Sequence, residues 1–131
     1  MKRLVFLLIF LCAVGLNAQE LTSITLNWTA PGDDGNIGQA SGYDIRYATF
    51  NFTNSDWDTL IQVFNEPVPA PAGVIESFTI SGLDANTTYY FAIKAVDDAG
   101  NWSGLSNVCS VTTIDNVPPD PIIIECEPVE P

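Results

Sequence analysis

The segment Tyr89-Tyr90-Phe91-Ala92-Ile93-Lys94-Ala95-Val96 holds the longest regular pattern in the chain. Tyr89, Phe91, Ile93 and Ala95 alternate with other residues, so an extended backbone puts all four on one face. A period of two marks a β-strand with one side against a core. The same alternation returns in Ile24-Thr25-Leu26-Asn27-Trp28-Thr29, in Tyr43-Asp44-Ile45-Arg46-Tyr47 and in Ser77-Phe78-Thr79-Ile80-Ser81. Leu60 to Phe64 and Asn107 to Thr113 carry it more weakly. Between these runs lie turn formers: Ala30-Pro31-Gly32-Asp33-Asp34-Gly35, Pro67 to Gly73, Asp84-Ala85-Asn86, and Asp97-Asp98-Ala99-Gly100-Asn101. Glycine, aspartate and asparagine supply the backbone angles such turns need. No stretch of useful length has helical periodicity. Short strands between frequent turns predict an all-β, antiparallel β-sandwich of six or seven strands.

Composition narrows the function. The chain has 131 residues, enough for one domain, and 47% of them are hydrophobic, enough for a core. Sixteen acids face four bases, a formal charge of −12, and there is no histidine. Such a chain repels a phosphate backbone, which excludes nucleic acid as a partner. Histidine-based acid–base catalysis and histidine metal sites are excluded outright.

The N-terminus reads as an address. Lys2 and Arg3 precede a thirteen-residue apolar run, Leu4 to Leu16, and Leu16-Asn17-Ala18 then leads into the polar Gln19-Glu20. This is the order of a secretory signal peptide, residues 1–18, cut between Ala18 and Gln19. A transmembrane anchor needs about 20 apolar residues, so the run is too short to span. A lipoprotein signal would place a small residue before Cys12, and Leu11 is not small. Cleavage leaves Arg46 and Lys94 against all sixteen acids in a secreted or cell-surface protein. The remainder divides into a domain at 19–114 and a tail at 115–131. The tail carries prolines 118, 119, 121, 128 and 131 among acids, the composition of a linker or terminal arm.

These residues resemble the fibronectin type III family over about 21–114. Trp28 fits the family's core tryptophan, and Tyr43 to Tyr47 its third strand. Leu83 with Tyr89 six residues later looks like the tyrosine corner; Ala85 and Asn86 stand where the family often has proline and glycine. The runs Trp28 to Gly35, Glu66 to Gly73, Tyr89 to Ala95 and Gly100 to Asn107 are similar to modules of secreted bacterial multidomain proteins. The resemblance implies a core containing Trp28, Tyr43, Ile45, Phe91 and Ile93. It implies a non-catalytic spacer or protein-contact role, with neighbouring domains in a longer parent protein. One departure is expected: only Gln19 to Ser23 precede the Ile24 strand, so strand A is short or missing and the edge beside it is bare. A glycan- or calcium-binding module, and a fragment of a larger extracellular enzyme or adhesin, are the alternative readings.

Four sets of residues are candidates for more than folding. Cys109 and Cys126 are the cysteines left after cleavage. If the tail reverses between Val117 and Pro118, Cys126 faces Cys109, Ile124 faces Val111 and Ile122 faces Thr113, and a disulfide closes the hairpin. The competing reading is an unpaired arm whose cysteine bonds elsewhere. Asp33, Asp34 and Asn36 lie in one loop and Asp97, Asp98 and Asn101 in another at the same pole, an oxygen set for Ca²⁺. Ordinary turn chemistry accounts for the same residues, and no calcium-loop spacing is present. Trp57, Trp102 and the outward Tyr90 offer rings to a glycan or a protein. The structural alternative has Trp102 stacking on Arg46 or Lys94. Trp102-Ser103-Gly104-Leu105-Ser106 looks like a partial tryptophan–serine motif of cytokine-receptor modules, with Leu105 where the second tryptophan would be. Finally, Asn27, Asn51, Asn86 and Asn101 each open an Asn-x-Ser/Thr triplet, relevant only in a host that glycosylates. No catalytic residue, cofactor motif or Arg-Gly-Asp triplet emerges, and serines and threonines lack a base to activate them.

Overall fold

A computed structural model describes the backbone of residues 10–14 and, in full, residues 22–35, 37–114, 121–122 and 124–126. The described residues form seven strands: β1 (Phe10–Val14), β2 (Ile24–Thr29), β3 (Gly42–Ala48), β4 (Ile61–Gln62), β5 (Ile75–Ile80), β6 (Thr88–Val96) and β7 (Cys109–Thr112). They form two antiparallel sheets, ordered β1-β2-β5 and β4-β3-β6-β7. The only helical element among the described residues is a 3-10 segment, Asn54–Thr59, after β3.

The alternation read from the sequence is the alternation of burial. Ile24, Leu26 and Trp28 of β2 point inward, and so do Tyr43 and Ile45 of β3 and Tyr89, Phe91, Ile93 and Ala95 of β6. Burying each such large side chain contributes roughly 1.5–3 kcal/mol. Trp28 meets Tyr43 edge-on with ring centres 5.3 Å apart, and Tyr47 lies 5.5 Å from Phe91 and 5.8 Å from Tyr89. Register is set along β3 and β6, from Gly42 opposite Val96 to Ala48 opposite Tyr90. A slip of one residue would turn every one of these side chains to the wrong face.

The tyrosine corner is present. The Tyr89 hydroxyl accepts the Asp84 backbone N–H at 2.9 Å, and Leu83 is buried beside it. Asn86 takes the left-handed conformation, φ +51°, a role asparagine fills at small cost. Thr113 locks the same corner: its hydroxyl accepts the Thr87 amide at 3.0 Å.

Three expectations are corrected here. Strand A is present and short, five residues, and lies upstream of residues 19–23. β1 occupies its place, pairing with β2 from Phe10 opposite Trp28 to Val14 opposite Ile24. A short apolar run suits a buried strand as well as a leader, and periodicity alone does not separate the two. The proposed cut between Ala18 and Gln19 lies outside the described residues. Among the described residues of the tail none pairs with β7: Ile122, Ile124 and Cys126 lie exposed outside any strand. The Cys109–Cys126 bond is absent, because Cys109 is bonded in another disulfide and Cys126 is free. The hairpin register was set from spacing alone, which gives no energetic reason for the prolines and acids of the tail to follow the sheet.

Candidate functional site

The end of the sandwich that carries the β2–β3 and β6–β7 loops brings together most of the singled-out residues. The β2–β3 loop is tight. The Gly32 N–H donates to the Gly35 carbonyl at 2.7 Å, and the Asp33 N–H to that of Ile37 at 2.8 Å. A side chain at Gly32 would lie 2.4 Å from the Ile37 backbone, so only glycine fits. The Asp33 carboxylate then accepts the Asp98 N–H at 3.3 Å, tying the two loops together.

Asp97 serves its own loop. Its carboxylate accepts the Asn101 side-chain amide at 2.9 Å, the Asn101 N–H at 2.7 Å and the Ala99 N–H at 3.0 Å. These donors, that side-chain amide foremost, hold its pKa below 3.8. The structure thus joins Asp33 with Asp98 and turns Asp97 inward. Among the described residues no group of three acids or cysteines is close enough to hold a metal ion. Asn36 lies outside the described residues.

The cation stack that the structural alternative assigned to Trp102 is made by Trp57 instead. Trp57 is buried, 7% exposed, and sits in a second apolar cluster on the outer face of the four-stranded sheet with Ala48, Phe52, Leu60 and Ala92. The Arg46 guanidinium lies 5.0 Å and the Lys94 ammonium 4.6 Å from its ring centre. Arg46 also donates to the Trp57 carbonyl at 2.9 Å and forks onto Asp44 at 3.0 and 3.1 Å. Trp57 is therefore structural, and its reading as a ligand contact is withdrawn. The 3-10 segment that carries it is folded by a capping box: the Thr53 N–H donates to the Asp56 carboxylate at 2.9 Å.

Trp102 takes no part in that stack. It is 53% exposed and meets the sheet through a single bridge to Val96. The serines after it are bound to β6. Ser103 donates its N–H to the Ala95 carbonyl at 2.7 Å, and its hydroxyl accepts the Ala95 N–H at 2.9 Å. Ser106 does the same with Ile93, at 3.2 and 2.9 Å. Hydroxyls standing in for strand carbonyls carry this ribbon along β6 and delay β7 until Cys109. Leu105 packs on the Trp57 cluster. The ribbon fixes the Trp102 backbone while about half of its side chain remains exposed.

Sequence reasoning passed over one buried polar set. The Tyr43 hydroxyl donates to Glu76 Oε1 at 2.7 Å, and the Ala70 N–H donates to the same oxygen at 2.8 Å. Burial, and then the carboxylate beside it, push the Tyr43 phenol far above its usual pKa. Glu66 accepts the Ile45 N–H at 3.2 Å, so both acids satisfy backbone donors of the β4–β5 region and β3. In sequence Glu66 and Glu76 look like solvated surface acids; nothing local reveals the donors they meet.

Two facing antiparallel sheets with a tyrosine corner define an immunoglobulin-like sandwich. Within that class, the fibronectin type III domain matches residues 14–112, and the chain belongs to this family. It is similar to chitinase A1 of Niallia circulans, 41% identical over 96 residues, covering 73% of this chain and 11% of that protein. Chitinase Chi52 of Paenibacillus xylanexedens is 34% identical over 101 residues, 76% of this chain and 15% of the relative. Mouse interleukin-6 receptor subunit beta is 36% identical over 108 residues, 80% of this chain and 11% of the receptor. The chain spans only about a tenth to a seventh of the lengths of these relatives.

Proposed function

We propose that this chain is a non-catalytic module of a secreted or cell-surface protein, acting as a spacer or protein-contact surface. What supports this reading is the share of the relatives that the domain occupies. A unit making up 11–15% of chitinases and a receptor subunit is reused beside different partner domains. A fold alone carries no activity, and the carboxylates of Asp97, Glu66 and Glu76 accept backbone N–H groups of the domain itself. No described helix is long and apolar enough to cross a membrane.

One observation favours a second reading, glycan contact. Trp102 presents a 53% exposed side chain on a fixed ribbon, and two of the relatives are named chitinases. Co-sedimentation of the exported protein with insoluble chitin and cellulose separates the two. For a spacer the protein stays in the supernatant with either polymer. Retention that Trp102→Ala abolishes, with the melting temperature unchanged, would establish the glycan reading and overturn the spacer.

A further inference from the structure

One edge of the sandwich lacks the devices that keep sheet edges apart. β5 ends the order β1-β2-β5, and among the described residues no strand pairs with its far side. It matches β2 one for one, from Ile24 opposite Ile80 to Thr29 opposite Ile75, so no bulge twists it away. It carries no proline and no lysine. Its single charge, Glu76, turns inward to the Tyr43 hydroxyl and the Ala70 N–H. A regular edge without such guards is a template for another strand. The other sheet is better protected: β4 has two residues, and β7 lies beside β1.

The register assigns the backbone groups on that edge. The Ala30 N–H donates to the Val74 carbonyl at 2.8 Å, in step with the β2–β5 pairing. Antiparallel ladders alternate, so Glu76, Phe78 and Ile80 bond to β2, while Ile75, Ser77 and Thr79 turn their N–H and C=O groups to the free side. The side chains of these same three residues stand on the outer face, with Ile75 76% exposed. Opposite them on β2 are Thr29, Asn27 and Thr25, and the Thr25 and Thr79 hydroxyls lie 2.9 Å apart. None of the six is charged, on a chain that carries −12.

We propose that β5 pairs with β5 of a second copy of this chain, antiparallel about a two-fold axis at Ser77, joining the two three-stranded sheets into one of six strands. Charge selects this occupant. A basic strand finds no acid among the six outer residues to pair with, and an acidic one meets only repulsion. A second β5 is uncharged on the same face, so the two meet without setting acids of that face opposite one another. Register follows, because residues directly opposite share a face. Ser77 meets Ser77, and Ile75 meets Thr79 and is covered. Each copy has one such edge, so the pairing closes as a dimer. The net charges of the two copies oppose it until salt screens them. The proposal goes beyond the function proposed above and does not depend on it, since a spacer and a glycan-binding module could equally be paired in this way.

The test uses the protein exported from the full 131-residue gene, followed by sedimentation velocity over a range of concentrations. The expected result is a monomer–dimer equilibrium that tightens as sodium chloride is added. Ser77→Pro removes the two N–H groups that the copies exchange and none that bonds to β2, so it should weaken dimerisation by roughly tenfold or more. If that variant does not melt cooperatively, cross-linking decides. With the free Cys126 changed to serine, Ser77→Cys should form a disulfide-linked dimer on oxidation. Thr79→Cys should not, because its counterpart lies four residues along the strand, about 14 Å away. A protein that stays monomeric at every concentration and salt overturns the proposal. So do association that Ser77→Pro leaves unchanged, assemblies that grow beyond the dimer, and cross-linking at both positions or at neither.

Discussion

Single residues in this domain divide by whether their polar atoms serve the backbone or the solvent. The Tyr89 hydroxyl serves the backbone at Asp84, 2.9 Å away. Tyr89→Phe leaves that N–H without its acceptor and is expected to destabilise by about 1–3 kcal/mol, read by urea unfolding. Trp57 and Trp102 form a second contrast. Trp57→Ala empties a cluster that two cations cover and should cost about 3–5 kcal/mol. Trp102→Ala removes a mostly solvated ring and should stay within about 0.5 kcal/mol. Paired unfolding curves check both, and a reversal would mean that the outer cluster is not part of the folded unit. Asp97 gives a pH-dependent case. Its folded pKa is depressed by the Asn101 and Ala99 donors, so its contribution is present above 3.8 and is lost as pH falls through the folded value. Asp97→Asn should melt below wild type at pH 7, and the gap should close as pH drops below 3.8, measured by melts between pH 7 and 2.

At the scale of elements, legibility followed local pattern. β2, spanning Ile24–Thr29, and β6, ending at Val96, were readable because one face meets a core and the other meets water. The turn at Asn86 was readable for a similar reason: few residues accept its backbone angle. β1 was not, because a five-residue apolar stretch inside a longer apolar run has no alternation to expose it. The Trp57 segment was not, because its burial depends on Arg46, Lys94 and Ala92 from two strands distant in sequence. The candidate site shows the same division. The meeting of the two acidic loops followed from the sandwich plan, and Asp33 does accept the Asp98 amide. That Asp97 turns away from its neighbour is decided by three donors within four residues of it, a choice among loop conformers that composition does not make. The tail's failure to pair with β7 is the same lesson in reverse, since a permitted register is not a stabilising one.

Across the whole molecule, charge outweighs any single contact. Sixteen acids against four bases put −12 on 131 residues, and removing Lys2 and Arg3 with a leader would make the excess larger. Self-repulsion of this kind destabilises the compact state and is screened by salt, with a Debye length of about 10 Å at 0.1 M. The melting temperature should therefore rise with sodium chloride and level off once screening is complete. The same experiment tests calcium. Chloride salts of sodium, magnesium and calcium, matched in ionic strength, should raise the melting temperature alike if the Asp33–Asp98 pole acts only through general screening and local turn bonds. A rise specific to calcium, lost in Asp33→Asn with Asp98→Asn, would instead assign that pole a bound ion. The two outcomes differ in kind: screening depends on ionic strength whatever the cation and saturates, whereas a site stabilises as the logarithm of one cation's concentration above its dissociation constant. With the Asp33 and Asp97 carboxylates directed at backbone amides, the first outcome is expected.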